Sequence, residues 1–274
     1  MQNYSSTDIQ KIFNFYRTSL FSISNDIQFW KAFLEKAIEK YNEANDCEYR
    51  KIFESIFNVY DLSFDSSNGF LKTYNQTFEI SSNDLQDYRK KFFNWIMNLS
   101  ILKAYNASEL LLLGSIQLAF FPTLESPFKN RKHADNIHRE VRNSLTKPDT
   151  TNNKHLIQFL RTKSSKFDTF SDQLVRIDLK SNWINFFEML SILRNVIAHH
   201  GTIVNVDTLN QIKSNAKDIF ERHFDLFDDE NDFAVLHPRE GDSFLNFIDL
   251  INDFSLNTSK FIFDESDLSF LDMS

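Results

Sequence analysis

Glycine and proline are nearly missing from this sequence, with 4 of each in 274 residues. At average usage a chain of this length carries roughly 33 of the two together. Tight turns draw on both residue types, so an all-β sandwich or barrel, with a turn every few residues, is excluded in favour of helices. Gly69, Gly114, Gly201 and Gly241 lie too far apart for G-x-G-x-x-G or a Walker A loop. Cys47 is the only cysteine, which excludes a disulfide framework and a Cys-rich zinc site. With 42% hydrophobic residues the chain can bury a sizeable core. Its first twenty residues are polar and mixed, and its most apolar run, residues 110–121, contains Gln117 and is too short for a bilayer. The expectation is a mostly helical, cytoplasmic protein with no membrane association.

Apolar spacing predicts where the helices lie. Asn25, with Gln28 three residues on, opens a helix that turns Ile27, Trp30, Leu34, Ala37, Ile38 and Tyr41 inward. Ile52, Phe53, Ile56 and Val59 read as a second helix, and residues 61–81, with Gly69, as a loop with room for a short strand pair. A helix from Asn83 places Leu85, Tyr88, Phe92, Ile96 and Leu99 inside. Residues 104–120 form a separate, more buried helix ended by Pro122 and Pro127. Residues 179–200 follow, with Trp183, Phe186, Phe187, Leu190, Leu193 and Ile197 inward and Gly201 as the stop. A last regular helix spans 207–223. Trp30, Trp95 and Trp183 all read as core. These elements divide as an N-terminal helical extension (1–82), a helical domain (83–224) and an acidic segment (225–274).

The chemistry concentrates in residues 193–205, Leu-Arg-Asn-Val-Ile-Ala-His-His-Gly-Thr-Ile-Val-Asn. Arg194, Asn195, His199 and His200 fall in the last two turns of one helix. Asn195 and His199 share a face, being four apart. At a helix C-terminus the carbonyls lack partners and the dipole favours imidazolium. Metal-free RNA cleavage needs a base for the ribose 2′-OH, an acid for the departing 5′-oxygen and a cation for the phosphorane. Histidine serves the first two near neutral pH and arginine the third. The bland alternative is a helix end capped by histidine, with an arginine facing solvent. Arginine followed by histidine after four to six residues arises by chance about 0.8 times in this composition. A second instance, Arg131 to His138, sits in a polar, loop-like stretch and reads as coincidence. His133 and His138 read as surface residues, and His155, His223 and His237 have no legible partner. No H-E-x-x-H occurs, so neither a metal nor a cofactor is expected.

The run Arg-Asn-x-x-Ala-His-His-Gly-x-x-x-Asn at 194–205 resembles the signature of the HEPN superfamily of helical ribonucleases, especially the form in abortive-infection phage-defence proteins. The similarity is close over 193–205, rests on helix pattern alone from about 85 to 223, and does not extend to the first 80 or last 50 residues. It implies an all-α HEPN-like bundle that forms a homodimer, so that two motifs face each other in one composite RNA-cleaving site. Arg194 and His199 then take the arginine and histidine roles, Asn195 is the polar residue after the arginine, and His200 fits the spacing too. The implied activity is a metal-independent endoribonuclease, a toxin or abortive-infection effector, leaving a 2′,3′-cyclic phosphate and a 5′-OH. An antitoxin or other regulatory partner, including a nucleotidyltransferase that silences the toxin by modification, is compatible with this reading. The alternative is a non-catalytic helical module binding RNA or a partner protein through the same dimer.

The net charge of −8 argues against nucleic acid only until it is divided. Residues 225–274 hold thirteen acids against Arg239 and Lys260, a net of −11, which leaves +3 for the first 224 residues. Residues 129–166 alone carry ten basic and three acidic side chains, with Pro148 and the pair Asn152–Asn153 marking a loop inside them. Arg131, Lys132, Arg139, Arg142 and Arg161 from this stretch are the residues expected to track an RNA backbone. The acidic segment, anchored by Phe261, Phe263 and Phe270, is expected to dock on a partner or to cover that basic surface. Within it, Asp228, Asp229, Glu230 and Asp232 read as a solvated turn.

Overall fold

The computed structural model describes residues 5–43, 53–60, 71–78, 82–229, 233–263 and 268. In chain order these form α1 (Ser6–Glu43), β1 (Phe53–Tyr60), β2 (Leu71–Phe78), α2 (Ser82–Phe120) and α3 (Arg131–Asn143). A 3-10 turn (Thr151–Asn153) leads into α4 (Lys154–Lys163), α5 (Ser165–Ser171) and α6 (Trp183–His200). Then come β3 (Ile203–Asn205), α7 (Val206–His223), β4 (Phe224–Asp229), β5 (Phe233–Pro238) and α8 (Asp242–Ile262). The protein is mostly helical, with a small three-stranded sheet. Among the described residues no helix is long and apolar enough to cross a membrane. Cys47, Glu230, Asp232 and Phe270 lie outside the described residues, as do the side chains of Tyr41 and Leu85.

Two compact units emerge, one of Met1–Asn25 with Asn94–Ser274 and one of Asp26–Phe93. The expected limit at 82/83 falls inside the second unit, since α1 and α2 each supply residues to both, and that at 224/225 falls inside the first, since β3 pairs with β5. Neither helix breaks where the periodicity suggested. Asn25 lies inside α1, and α2 runs unbroken through residues 100–104. No glycine or proline stands between residues 6 and 43 or between 82 and 113, so nothing in the backbone stops either helix.

In the first unit, Ser5 opens α1 by accepting the Asp8 backbone N–H at 3.3 Å. Ile9, Ile12, Phe13 and Tyr16, spaced on one helix face, pack with Ala107 and Leu111 of α2 and with Phe263 and Leu268. Gly114 lets this contact close. A Cβ there would stand 2.9 Å from Phe128 Cε2 and 3.3 Å from Ile12 Cγ2.

In the second unit, β1 and β2 pair antiparallel from Phe53↔Phe78 to Tyr60↔Leu71. Residues 52–59 were expected to be helical. The run Phe-Glu-Ser-Ile-Phe-Asn-Val-Tyr is rich in β-branched and aromatic residues, and its partner strand decides a pattern that periodicity leaves ambiguous. The N-terminal stripe is only partly covered here: Ile27, Leu34 and Ile38 are half-buried, while Trp30 and Ala37 are exposed, as is Tyr88 of α2. Trp30 packs by one side on Phe92, ring centroids 5.6 Å apart. Back in the first unit, Trp95 is 55% exposed and Leu99 is also exposed. Of the three tryptophans only Trp183 is buried.

The described part of the acidic segment is not separate from the helical domain. β5 is the central strand of the sheet, in the order β3-β5-β4, with Val204 opposite Ala234 and Leu226 opposite Leu236. One sheet face turns Val204, Phe224, Ala234 and Leu236 into the core. α8 buries Phe244, Phe247, Leu250, Ile251 and Phe254. Phe254 stacks on Phe187 of α6 at 5.1 Å, and Phe247 meets Phe224 edge-on at 5.2 Å. The exposed face of α8 carries Asp242, Asp249 and Asp253 beside Leu245, Asn246 and Lys260, and phenylalanines fill its inner one. Composition averaged over the segment hides that division.

Candidate functional site

Helix α6 begins at Asn182, whose side chain accepts from the Asn185 backbone N–H, three residues beyond the sequence estimate for its start. Trp183, Phe186, Phe187, Leu190, Leu193, Val196 and Ile197 are buried, which fixes the helix about its axis. That orientation leaves Arg194 and Asn195 half-buried and His199 and His200 exposed. Gly201, at φ 67° and ψ −113°, ends the helix in a conformation that L side chains rarely adopt. The next carbonyl, of Thr202, accepts the Leu236 N–H at 2.8 Å, so β5 sets the exit path.

His199 and His200 hold their ring centroids 6.5 Å apart. Together with Asn152, Ile192, Asn195, Val196, Thr208 and Gln211 they line a concavity of about 240 Å³. Arg194 lies beside it. Its Nη1 donates to Asn195 Oδ1 at 2.9 Å, and its guanidinium stands 5.7 Å from the centre of the Tyr105 ring. Arg194 Nε is buried and has no hydrogen-bond partner among the described residues. Asn195 in turn donates from Nδ2 to Asn152 Oδ1 at 2.8 Å.

Behind these residues runs a buried polar chain that the sequence did not disclose. Asn153 donates to Tyr105 Oη at 3.0 Å and to Glu109 Oε1 at 2.6 Å. Tyr105 Oη also meets Ser191 Oγ at 3.3 Å. Burial, and then the Glu109 carboxylate, push the Tyr105 hydroxyl up to about 12, so it stays protonated. Glu109 Oε1 faces His138 Nε2 at 3.6 Å, and His138 Nδ1 shares a 2.9 Å hydrogen bond with His155 Nε2. These two histidines were expected to be a surface residue and a residue without a partner. They are 17 positions apart, and only the packing of α3 against α4 joins them. A legible trace did exist: Glu109 is the only charged residue of 104–120 and stands four positions from Tyr105, on the same helix face.

His155 is only 3% exposed. Burial, with the His138 and Arg142 charges adding to it, pushes its pKa down to about 4, so it folds neutral. Between the ordinary histidine value near 6.5 and pH 4, the unfolded chain takes a proton that the folded chain refuses. Stability from this group is therefore complete above pH 6.5 and falls with acidification, by at most about 1.4 kcal/mol per pH unit. His223, buried with Nδ1 on the Ser243 carbonyl at 2.8 Å, is shifted in the same direction, chiefly by burial. Melting temperatures of wild type and His155→Gln from pH 7.5 to 4.5 are expected to converge on acidification, the variant losing less. Parallel curves would remove His155 from this account.

The basic residues fare unequally. Arg131 to His138 is not loop but the first two turns of α3, capped by the Asn130 side chain on the His133 N–H. Arg131, Lys132 and Arg139 are exposed on this helix. Arg142 donates from Nε to the His138 carbonyl at 3.2 Å. Arg161 spends its fork on Asp168 and Asp172, Nη2 reaching Asp172 Oδ2 at 2.9 Å. Among the described residues no group of three or more His, Cys, Asp or Glu is arranged to hold a metal ion.

Comparison with known proteins gives no match. No family model, curated protein or solved structure aligns significantly with the chain.

Proposed function

We propose that this protein is a metal-independent endoribonuclease of HEPN type, a toxin or phage-defence effector in the cytoplasm that acts as a homodimer. One observation carries the reading: two exposed imidazoles and Asn195 share a concavity, and Asn195 is hydrogen-bonded to its neighbour Arg194 on the same helix. His199 is the acid/base group, with His200 next in line. Arg194 neutralises the scissile phosphate, and Asn195 orients it. Arg194 is half-buried rather than sealed off, and a phosphate offers the acceptors that a guanidinium fork fits. Attack by the ribose 2′-OH leaves a 2′,3′-cyclic phosphate and a 5′-OH, and DNA lacks the nucleophile. Exposed Arg131, Lys132 and Arg139 follow the RNA backbone; Arg142 contributes from a half-buried position, and Arg161 contributes only after release from its two carboxylates.

The test is incubation of wild type, His199→Ala and Arg194→Ala with structured and unstructured RNA in EDTA. Cleavage by wild type alone supports the enzyme. No cleavage, or equal cleavage by all three, sinks it, and RNA retention without cleavage identifies a binding module instead. Light scattering is expected to give twice the chain mass of 32.4 kDa. A strict monomer would undercut the composite site.

A further inference from the structure

Asn152 and Asn153 are the two non-glycine residues with positive φ among those described, at 49° and 62°. Two consecutive left-handed residues without glycine persist only where surroundings hold them. Here both side chains do the holding. Asn153 binds Tyr105 and Glu109 of α2, while Asn152 Oδ1 accepts from Asn195 of α6. The 3-10 turn thus grips two helices, and its grip on α6 falls on the residue that orients Arg194.

The polarity of this link is what matters. An amide side chain has an acceptor end and a donor end. Asn195 presents its acceptor to Arg194 Nη1 and its donor to Asn152 Oδ1. With the Asn152 acceptor in place, a flipped Asn195 amide would set NH2 against guanidinium and carbonyl against carbonyl. Without it, one of those two penalties disappears and the guanidinium loses its fixed partner.

We propose that Asn152 is a positioning residue for Arg194, acting through Asn195. The proposal rests on the reading of Arg194 as the phosphate-binding cation. Aspartate and glycine both accept the left-handed region, so they separate the side chain from the backbone. Asn152→Gly keeps the turn and deletes the acceptor; Asn152→Asp keeps both. Asn152→Gly is expected to lower kcat on RNA by about 10–100-fold, the scale of a misplaced catalytic group, with KM little changed. Asn152→Asp should restore most of the rate. Asn152→Gly combined with Asn195→Ala should be no slower than Asn195→Ala alone, since both cut one chain.

A second readout does not depend on cleavage. The Arg194 Nε–H resonance, assigned by its loss in Arg194→Lys, is expected to shift in Asn152→Gly and to return in Asn152→Asp. Unchanged kcat and an unchanged Arg194 signal in Asn152→Gly overturn the proposal, as does an Asn152→Asp variant as slow as Asn152→Gly. Should wild type cut no RNA in EDTA, the ribonuclease reading falls, and the Arg194 resonance alone still decides whether Asn152 orders that side chain.

Discussion

Replacing His199 with alanine is expected to lower RNA cleavage by about 10²–10⁴-fold, the contribution of a positioned general acid or base. The ring is exposed at the last turn of α6, so its removal opens no core and should leave the melting temperature within a degree or two of wild type. That separates lost chemistry from lost fold. Arg194→Ala is expected to cost about 10²–10³-fold, the scale for deleting one group that stabilises transition-state charge. Its melting temperature should fall somewhat, because the guanidinium also covers the Tyr105 ring. His200→Ala decides between neighbours: a small effect assigns the proton transfer to His199, and a loss equal to that of His199→Ala requires both rings. Should His200→Ala alone abolish cleavage, the roles exchange. A substrate with a single 2′-deoxy nucleotide at the cleaved position should be inert to every version.

The second large effect concerns stability. A chain ending at residue 224 would shed the acidic segment, and on charge alone it should bind RNA more tightly. The structure predicts instead that it does not fold. Phe244, Phe247, Leu250, Ile251 and Phe254 would be lost, each no more than 3% exposed. Burying such a side chain is worth about 1.5–3 kcal/mol, and five together reach roughly 8–15 kcal/mol, an upper estimate. The whole stability of an ordinary domain is about 5–15 kcal/mol. Deletion also strips β5 from the middle of the sheet and exposes the partners Phe187 and Phe224. The expected product is insoluble or lacks a cooperative thermal transition by circular dichroism. A soluble, helical truncation with a sharp melt would contradict the placement of α8.

The helix that carries the arginine and histidines was legible because its signals are local. Its apolar spacing and the glycine at its end lie within twenty residues, and the burial of Trp183, Phe186 and Leu193 follows from them, whereas apolar spacing alone passes over the capping Asn182 and sets the start three residues early. Three other features were not local. β1 owes its form to a partner strand eighteen positions away, counted between their first residues. The exposure of Trp30 and Trp95 depends on what packs opposite them, since an apolar stripe says which face is greasy and not whether anything covers it. The His138–His155 pair and the grip of residues 152 and 153 on α2 and α6 arise only when four helices and a turn meet. Net charge misled for a related reason. It counts the acids of a segment that also supplies the central strand β5 and the buried phenylalanines of α8.

The pairing of β3 with β5 also imposes a sequence in time. Arg194 to His200 leave a ribosome well before residues 233–238, yet it is the Leu236 N–H that takes the Thr202 carbonyl and fixes how the chain departs from the histidines. Until about forty further residues have emerged, the end of α6 has no strand to run against. A partly made chain therefore holds every side chain of the proposed site without the frame that sets their final turn, which separates synthesis of the motif from its maturation.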